Sequence, residues 1–149
     1  MSKNLIKYSK SLIDMLNRDV VTIVPTAPVS EAAYLMMREE IGSLVVVDDQ
    51  MFPVGIVTDR DLVVSAIAEG KNPEEAIVEE VMTKNVVYVE EETNVLDILS
   101  TMSEYSIRRI PVTKDGRLTG IVSVDDLIVV VATELVNLAM AVSSKSKIL

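Results

Sequence analysis

The sequence predicts an α/β (α+β) fold made of two successive βαββα units. Three observations predict it. Short β-branched runs alternate with stretches whose apolar residues recur at helical spacing. The whole pattern then returns. Val20-Val-Thr-Ile-Val matches Val86-Val-Tyr-Val-Glu at a shift of 66; Val29, Ala32, Ala33 and Met36 match Val95, Ile98, Leu99 and Met102; Ile41-Gly-Ser-Leu-Val-Val matches Ile107-Arg-Arg-Ile-Pro-Val. Finally, Gly55-Ile-Val-Thr-Asp-Arg-Asp-Leu62 reappears as Gly120-Ile-Val-Ser-Val-Asp-Asp-Leu127 at a shift of 65. The one-residue slip falls between Val46 and Gly55, in a turn, where an insertion is tolerated.

Each element has its own warrant. Leu5, Tyr8, Leu12 and Met15 have helical spacing, so residues 1–16 read as a short amphipathic N-terminal helix. The first unit then spans 17–70. Val20–Val24 is β-branched and reads as a strand that Pro25 and Pro28 end. Pro28 suits a helix start, where its missing N–H costs nothing. That helix should turn Val29, Ala32, Ala33, Met36 and Met37 inward, and Ile41-Gly42 stops it. Leu44–Val47 and Val54–Thr58 read as an antiparallel strand pair across the turn Asp48-Asp49-Gln50-Met51. A second helix follows from Asp61 to about Ala68, closed by Gly70. Residues 71–80 read as a linker with one or two helical turns. The second unit spans 81–143, with a tail at 144–149.

The twin corners carry the chemistry. Each ends a strand at a hydroxyl residue (Thr58, Ser123), places an acid three residues later (Asp61, Asp126) and opens an apolar helical pattern. A helix N-terminus exposes unpaired N–H groups and partial positive charge, which suits a phosphate. A carboxylate one turn in can accept from a sugar diol. A capping box has the same Ser/Thr-x-x-acid form. Capping alone, however, does not require the same glycine, apolar pair and acid around both corners.

Composition narrows the function. Hydrophobic residues make up 49% and aromatics 3%, so the core is aliphatic. The net charge of −9 argues against a nucleic-acid backbone or an anionic membrane surface as partner. There is no histidine and no cysteine. That removes the commonest general base, the commonest metal ligands and thiolate chemistry. The remaining Asp, Glu and Lys show no nucleophile–base pairing, so no enzyme is expected. Met36, Met37 and Met102 read as core filler, and Glu90-Glu-Glu92 as a solvated loop before a helix start at Thr93. The start of the chain has no signal-peptide pattern, and Leu127–Val142, interrupted by Glu134 and Asn137, reads as short for a membrane span. The expected location is the cytoplasm. Ile128–Val142 is apolar on most faces and should be buried on most faces. A second chain is the expected cover, giving a homodimer through helices; the N-terminal helix is the alternative.

The duplicated frame, the two Gly-h-h-Thr/Ser-x-x-Asp corners (h apolar), Val81-Met82-Thr83 and Arg109-Ile110-Pro111-Val112 together resemble a tandem pair of cystathionine-β-synthase (CBS) domains. The resemblance covers about Met15–Glu134. It implies two βαββα units related by pseudo-twofold symmetry, with sheets packed together and helices outside. It further implies a non-catalytic regulatory module. Two clefts between the repeats would bind AMP, ADP or ATP, with Mg²⁺ possible beside a polyphosphate, or S-adenosylmethionine. The regulated partner is unknown, and a ligand-free adaptor dimer is the competing reading.

Carried over residue by residue, the resemblance gives Asp61 and Asp126 the ribose hydroxyls, and Thr58 and Ser123 the phosphate side. Arg108 and Arg109, with Gly42 and Ser43 as counterparts, match strand positions that meet phosphate, although they can equally be surface residues at a strand end. Thr83 and its counterpart Asn17 lie near the purine. Val20, Thr22, Val86 and Tyr88 would supply backbone groups and walls for the adenine. The copies differ. The second has Arg108 and Arg109 where the first has Gly42 and Ser43, and it has Asp125 where the first has Arg60. An anionic phosphate prefers arginine and avoids the extra acid. The cleft using Thr58 and Asp61, with Arg108 or Arg109 reaching across, should therefore bind more tightly.

Overall fold

A computed structural model describes residues 16–146. The expected N-terminal helix lies outside the described residues, apart from Leu16. The first copy contains strand β1 (Thr22–Ile23), helix α1 (Val29–Glu39), strands β2 (Ser43–Val47) and β3 (Pro53–Thr58), and helix α2 (Asp59–Asp61), which runs on as a π-helical stretch, Leu62–Ile67. A short helix α3 (Val78–Val81) precedes the second copy: β4 (Val89–Glu90), α4 (Val95–Tyr105), β5 (Arg109–Lys114), β6 (Arg117–Ser123) and α5 (Val124–Ser146). The fold is mixed α/β, with two three-stranded sheets ordered β1-β2-β3 and β4-β5-β6.

The repeat is visible in detail. β1 lies parallel to β2, and β4 lies parallel to β5. Val29, Ala32 and Met36 of α1 are buried, and so are their counterparts Val95, Ile98 and Met102 of α4. Both helices close on a left-handed residue, Glu40 (φ 55°) and Ser106 (φ 53°), which turns the chain into the next strand. Ala33 and Met37, expected inward, are exposed, Met37 at 69%. An 11-residue helix on a small sheet buries only a narrow stripe, and these two fall beside it. The first and fourth strands are also shorter than the β-branched runs suggested. Only Thr22–Ile23 and Val89–Glu90 are paired as strands.

The chain divides into two compact units. One comprises Asn17–Glu91 with Pro111–Ile121; the other includes Glu92–Ile110 and the chain from Val122. In the first unit, Ile23, Leu44, Val46 and Val57 turn one face of the sheet onto α1, the π-helical stretch and α3. Residues 71–80 are woven into that core. Val29 N–H donates to the Ala76 carbonyl (2.8 Å), and Val78 N–H donates to the Ala27 carbonyl (2.8 Å). Ala76 and Val78 are buried.

Helix α5 is largely exposed within one chain, where a second chain or the N-terminal helix was the expected cover. Leu127 is fully buried, but Ile128, Val129, Leu135, Val136, Leu138, Met140 and Val142 are each more than half exposed. Among the described residues, α4 accompanies α5 most closely, and α4 is 11 residues long against 23. By length and composition Val124–Ser144 suffices to cross a membrane, with mean hydropathy 1.9 and 6% of its most apolar window buried. The apolar run is thus longer than the sequence reading allowed.

Candidate functional site

Two leader segments complete the sheets by exchange. Thr83, just before the second copy, pairs with Ile56 of β3; its N–H donates to the Ile56 carbonyl at 2.8 Å and the return bond is 3.1 Å. Asn17, 66 residues earlier, pairs in the same antiparallel way with Ile121 of β6, at 3.3 and 3.1 Å. The sequence reading placed Asn17 and Thr83 as counterparts but gave them only a position near a purine. Their backbone work is strand completion.

This exchange explains Gly55. A Cβ there would overlap the Met82 sulfur and stand 3.1 Å from the Thr83 carbonyl oxygen. The glycine lets the leader segment close on β3.

The register now defines a face. Thr22, Val45, Ile56 and Thr83 are successive partners across the sheet, and Ser43 partners Thr58. Partnered residues share a face, and neighbours along a strand alternate. Thr22, Ser43, Thr58 and Thr83 therefore stand on the face opposite the helix-covered core, together with Ile56, which is partly exposed, and Val45, which is buried. Val20 and Val86 are partly buried and lie just outside the short first strands.

The first corner is a closed capping box. Asp61 N–H donates to Thr58 Oγ1 (3.2 Å), and Thr58 N–H donates to Asp61 Oδ2 (2.9 Å). Asp59 N–H donates to the Gly42 carbonyl at 3.0 Å. A Cβ on Gly42 would come within 3.2 Å of the Asp59 Oδ2. At the second corner, Asp126 N–H donates to Ser123 Oγ (3.2 Å) and Val124 N–H donates to the Arg108 carbonyl (2.8 Å). The reciprocal carboxylate bond is missing, and Asp126 is exposed. Arg108 Nη2 instead pairs with Asp125 Oδ1 at 3.2 Å, both side chains 77% exposed. Among the described residues, Arg60 and Arg109 have no acid within ion-pair distance.

The corners thus join as predicted Thr58 with Asp61 and Ser123 with Asp126. Gly42 and Arg108 carry a role the sequence reading missed, because each lends its carbonyl to the first N–H of the corner helix. The signal was present: two residues of such different chemistry at one repeat position point to the backbone. Among the described residues no group of acids is placed to hold a metal ion.

The family model for the CBS domain matches residues 12–66 and 78–133. An uncharacterised protein of Methanopyrus kandleri is 41% identical over 121 residues, 80% of this chain and 62% of the relative's own length. The crystal structure of Hypoxic Response Protein I with two coordinated zinc ions is similar with a TM-score of 0.71 at 31% identity, covering 77% of this chain and 93% of that one. A hexameric CBS-CP12 protein from bloom-forming cyanobacteria is similar with a TM-score of 0.65 at 34% identity, covering 77% of this chain and 67% of that one. With the duplicated frame, the exchanged leader strands and the twin corners, these matches place the chain in the CBS-domain family, with two copies of the domain in tandem.

Proposed function

We propose that the pair is a non-catalytic regulatory module that senses adenine nucleotides (AMP, ADP or ATP) at its two corners. The observation that carries this reading is the hydroxyl-bearing face. Thr22, Ser43, Thr58 and Thr83 share a face with the partly exposed Ile56, at the edge where Thr58 caps the helix that holds Asp61. An aliphatic side chain suits a purine, and a carboxylate suits a ribose diol. Closing the capping box does not spend Asp61, since Oδ1 stays outside it and each oxygen carries two lone pairs. Among the described residues, Arg60 at the first corner has no acid partner, whereas at the second Asp125 pairs with Arg108. The nucleotide binds more tightly at the corner of Thr58 and Asp61, and Mg²⁺ accompanies a polyphosphate. Ligand shifts the population of arrangements that a regulated protein reads, and the helices hold two copies together as a homodimer.

The absence of His and Cys supports a non-catalytic role. It also leaves the chain without the nitrogen and sulfur donors typical of zinc sites. A ligand-free adaptor dimer is the second reading, favoured by the capping duty of Asp61. Thermal melting with AMP, ATP or S-adenosylmethionine separates the two. A ligand that binds only the folded chain raises the midpoint; an adaptor melts unchanged with all three.

A further inference from the structure

Helix α5 outruns the family match, which ends at residue 133, and the corresponding helix of the first copy ends at Ile67. The extension therefore belongs to this chain rather than to the repeat. Along α5, Ile128, Val131, Leu135, Leu138 and Val142 alternate at intervals of three and four, which is the a/d spacing of a heptad seam. All five are exposed, from 37% to 62%. The first three, with Leu99 of α4, line an open apolar groove of about 280 Å³.

With roughly 100 Å² for each half-exposed aliphatic side chain, the seam and its flank of Val129, Val136 and Met140 offer on the order of 800 Å², about what one partner buries in a stable interface. The seam is nearly symmetric about Leu135. A twofold axis there sets Ile128 opposite Val142 and brings Val131 within one residue of Leu138. Charge fixes the direction. Asp125 and Asp126 open the helix. Antiparallel helices keep these aspartates at opposite ends of the pair and oppose the helix dipoles favourably. Parallel helices stack the same aspartates on one another.

We propose that the α5 seam docks on α5 of a second copy of this chain, antiparallel and centred on Leu135. The orientation and centre rest on α5 alone, so the interface and the nucleotide reading can fail separately.

The chain has no cysteine, so a single introduced thiol reports the pairing directly. Under mild oxidation, Leu135→Cys forms a disulfide-linked dimer. Ile128→Cys alone does not, but a mixture of Ile128→Cys and Val142→Cys yields the mixed dimer. In sedimentation the unsubstituted full chain runs as a dimer, and Leu135→Lys, still folded by circular dichroism, weakens it roughly 100-fold or more while AMP binding persists. The proposal is overturned if Ile128→Cys links to itself as readily as Leu135→Cys, which means parallel helices. It is overturned by an unsubstituted chain that sediments as a monomer, which means the seam is covered from within. A Leu135→Lys dimer of undiminished strength overturns it too. So does flotation of the chain with phosphatidylcholine vesicles that shield the Leu135→Cys thiol from a maleimide, which means a membrane.

Discussion

Thr58 and Ser123 hold the same place in the two copies, yet the acids three residues beyond them do different work. Asp61 closes a reciprocal cap with the Thr58 N–H, whereas Asp126 receives no such bond and faces outward. The neighbours differ to match. Gly42 lets the Asp59 carboxylate settle over it, and Arg108 at the same repeat position is held by Asp125. One motif thus serves as a structural clasp in one copy and leaves a free carboxylate in the other. Sequence identity at a corner does not fix the duty of its side chains; the residues one strand away do.

The comparison can be tested first where the copies should agree. Leu44 and Ile110 are 66 apart and are 1% and 0% exposed. Truncating either to alanine should cost about 2–5 kcal/mol, read as a drop in the urea midpoint. A large inequality would show that one copy's core contributes far less than the other's. Gly55→Ala comes next. Its new methyl meets Met82 and the Thr83 carbonyl, and the expected loss is about 1–3 kcal/mol. A neutral result would mean that the leader strand is not pressed onto β3.

The corners should then separate. Thr58→Ala and Ser123→Ala should each cost about 1 kcal/mol as lost caps. Asp61→Ala should also destabilise, because it opens the reciprocal bond, while Asp126→Ala should leave the melting midpoint unchanged. Equal effects of the two acids would erase the structural distinction. The smallest effect belongs to Arg108 and Asp125, whose exposed pair should show a coupling below about 1 kcal/mol in a double-mutant cycle.

Much of this was legible in the sequence. Hydrophobic periodicity placed both sheets and α1 and α4, and the shift of 66 paired Val29 with Val95, Met36 with Met102 and Asn17 with Thr83. Strand exchange was not legible, because it is made by backbone groups and a two-residue contact leaves no side-chain pattern. The difference between Asp61 and Asp126 was hidden for a related reason. Whether a carboxylate turns back to its own cap depends on local rotamers and neighbours, and Ser/Thr-x-x-Asp reads the same either way. Helix α5 shows a third limit. Its apolar faces were read as needing cover from a second chain or from the N-terminal helix, and they are exposed in the structure. Hydrophobicity says that a face wants cover, not which body supplies it.

The central claim is that the twin corners hold an adenine nucleotide through Asp61 and Asp126. Isothermal titration of the full chain with AMP tests it most directly, repeated with Asp61→Ala and Asp126→Ala. Saturable binding should weaken in both variants and more severely in Asp61→Ala. Affinity indifferent to both substitutions would contradict the account, and an equal loss from the two would contradict its asymmetry.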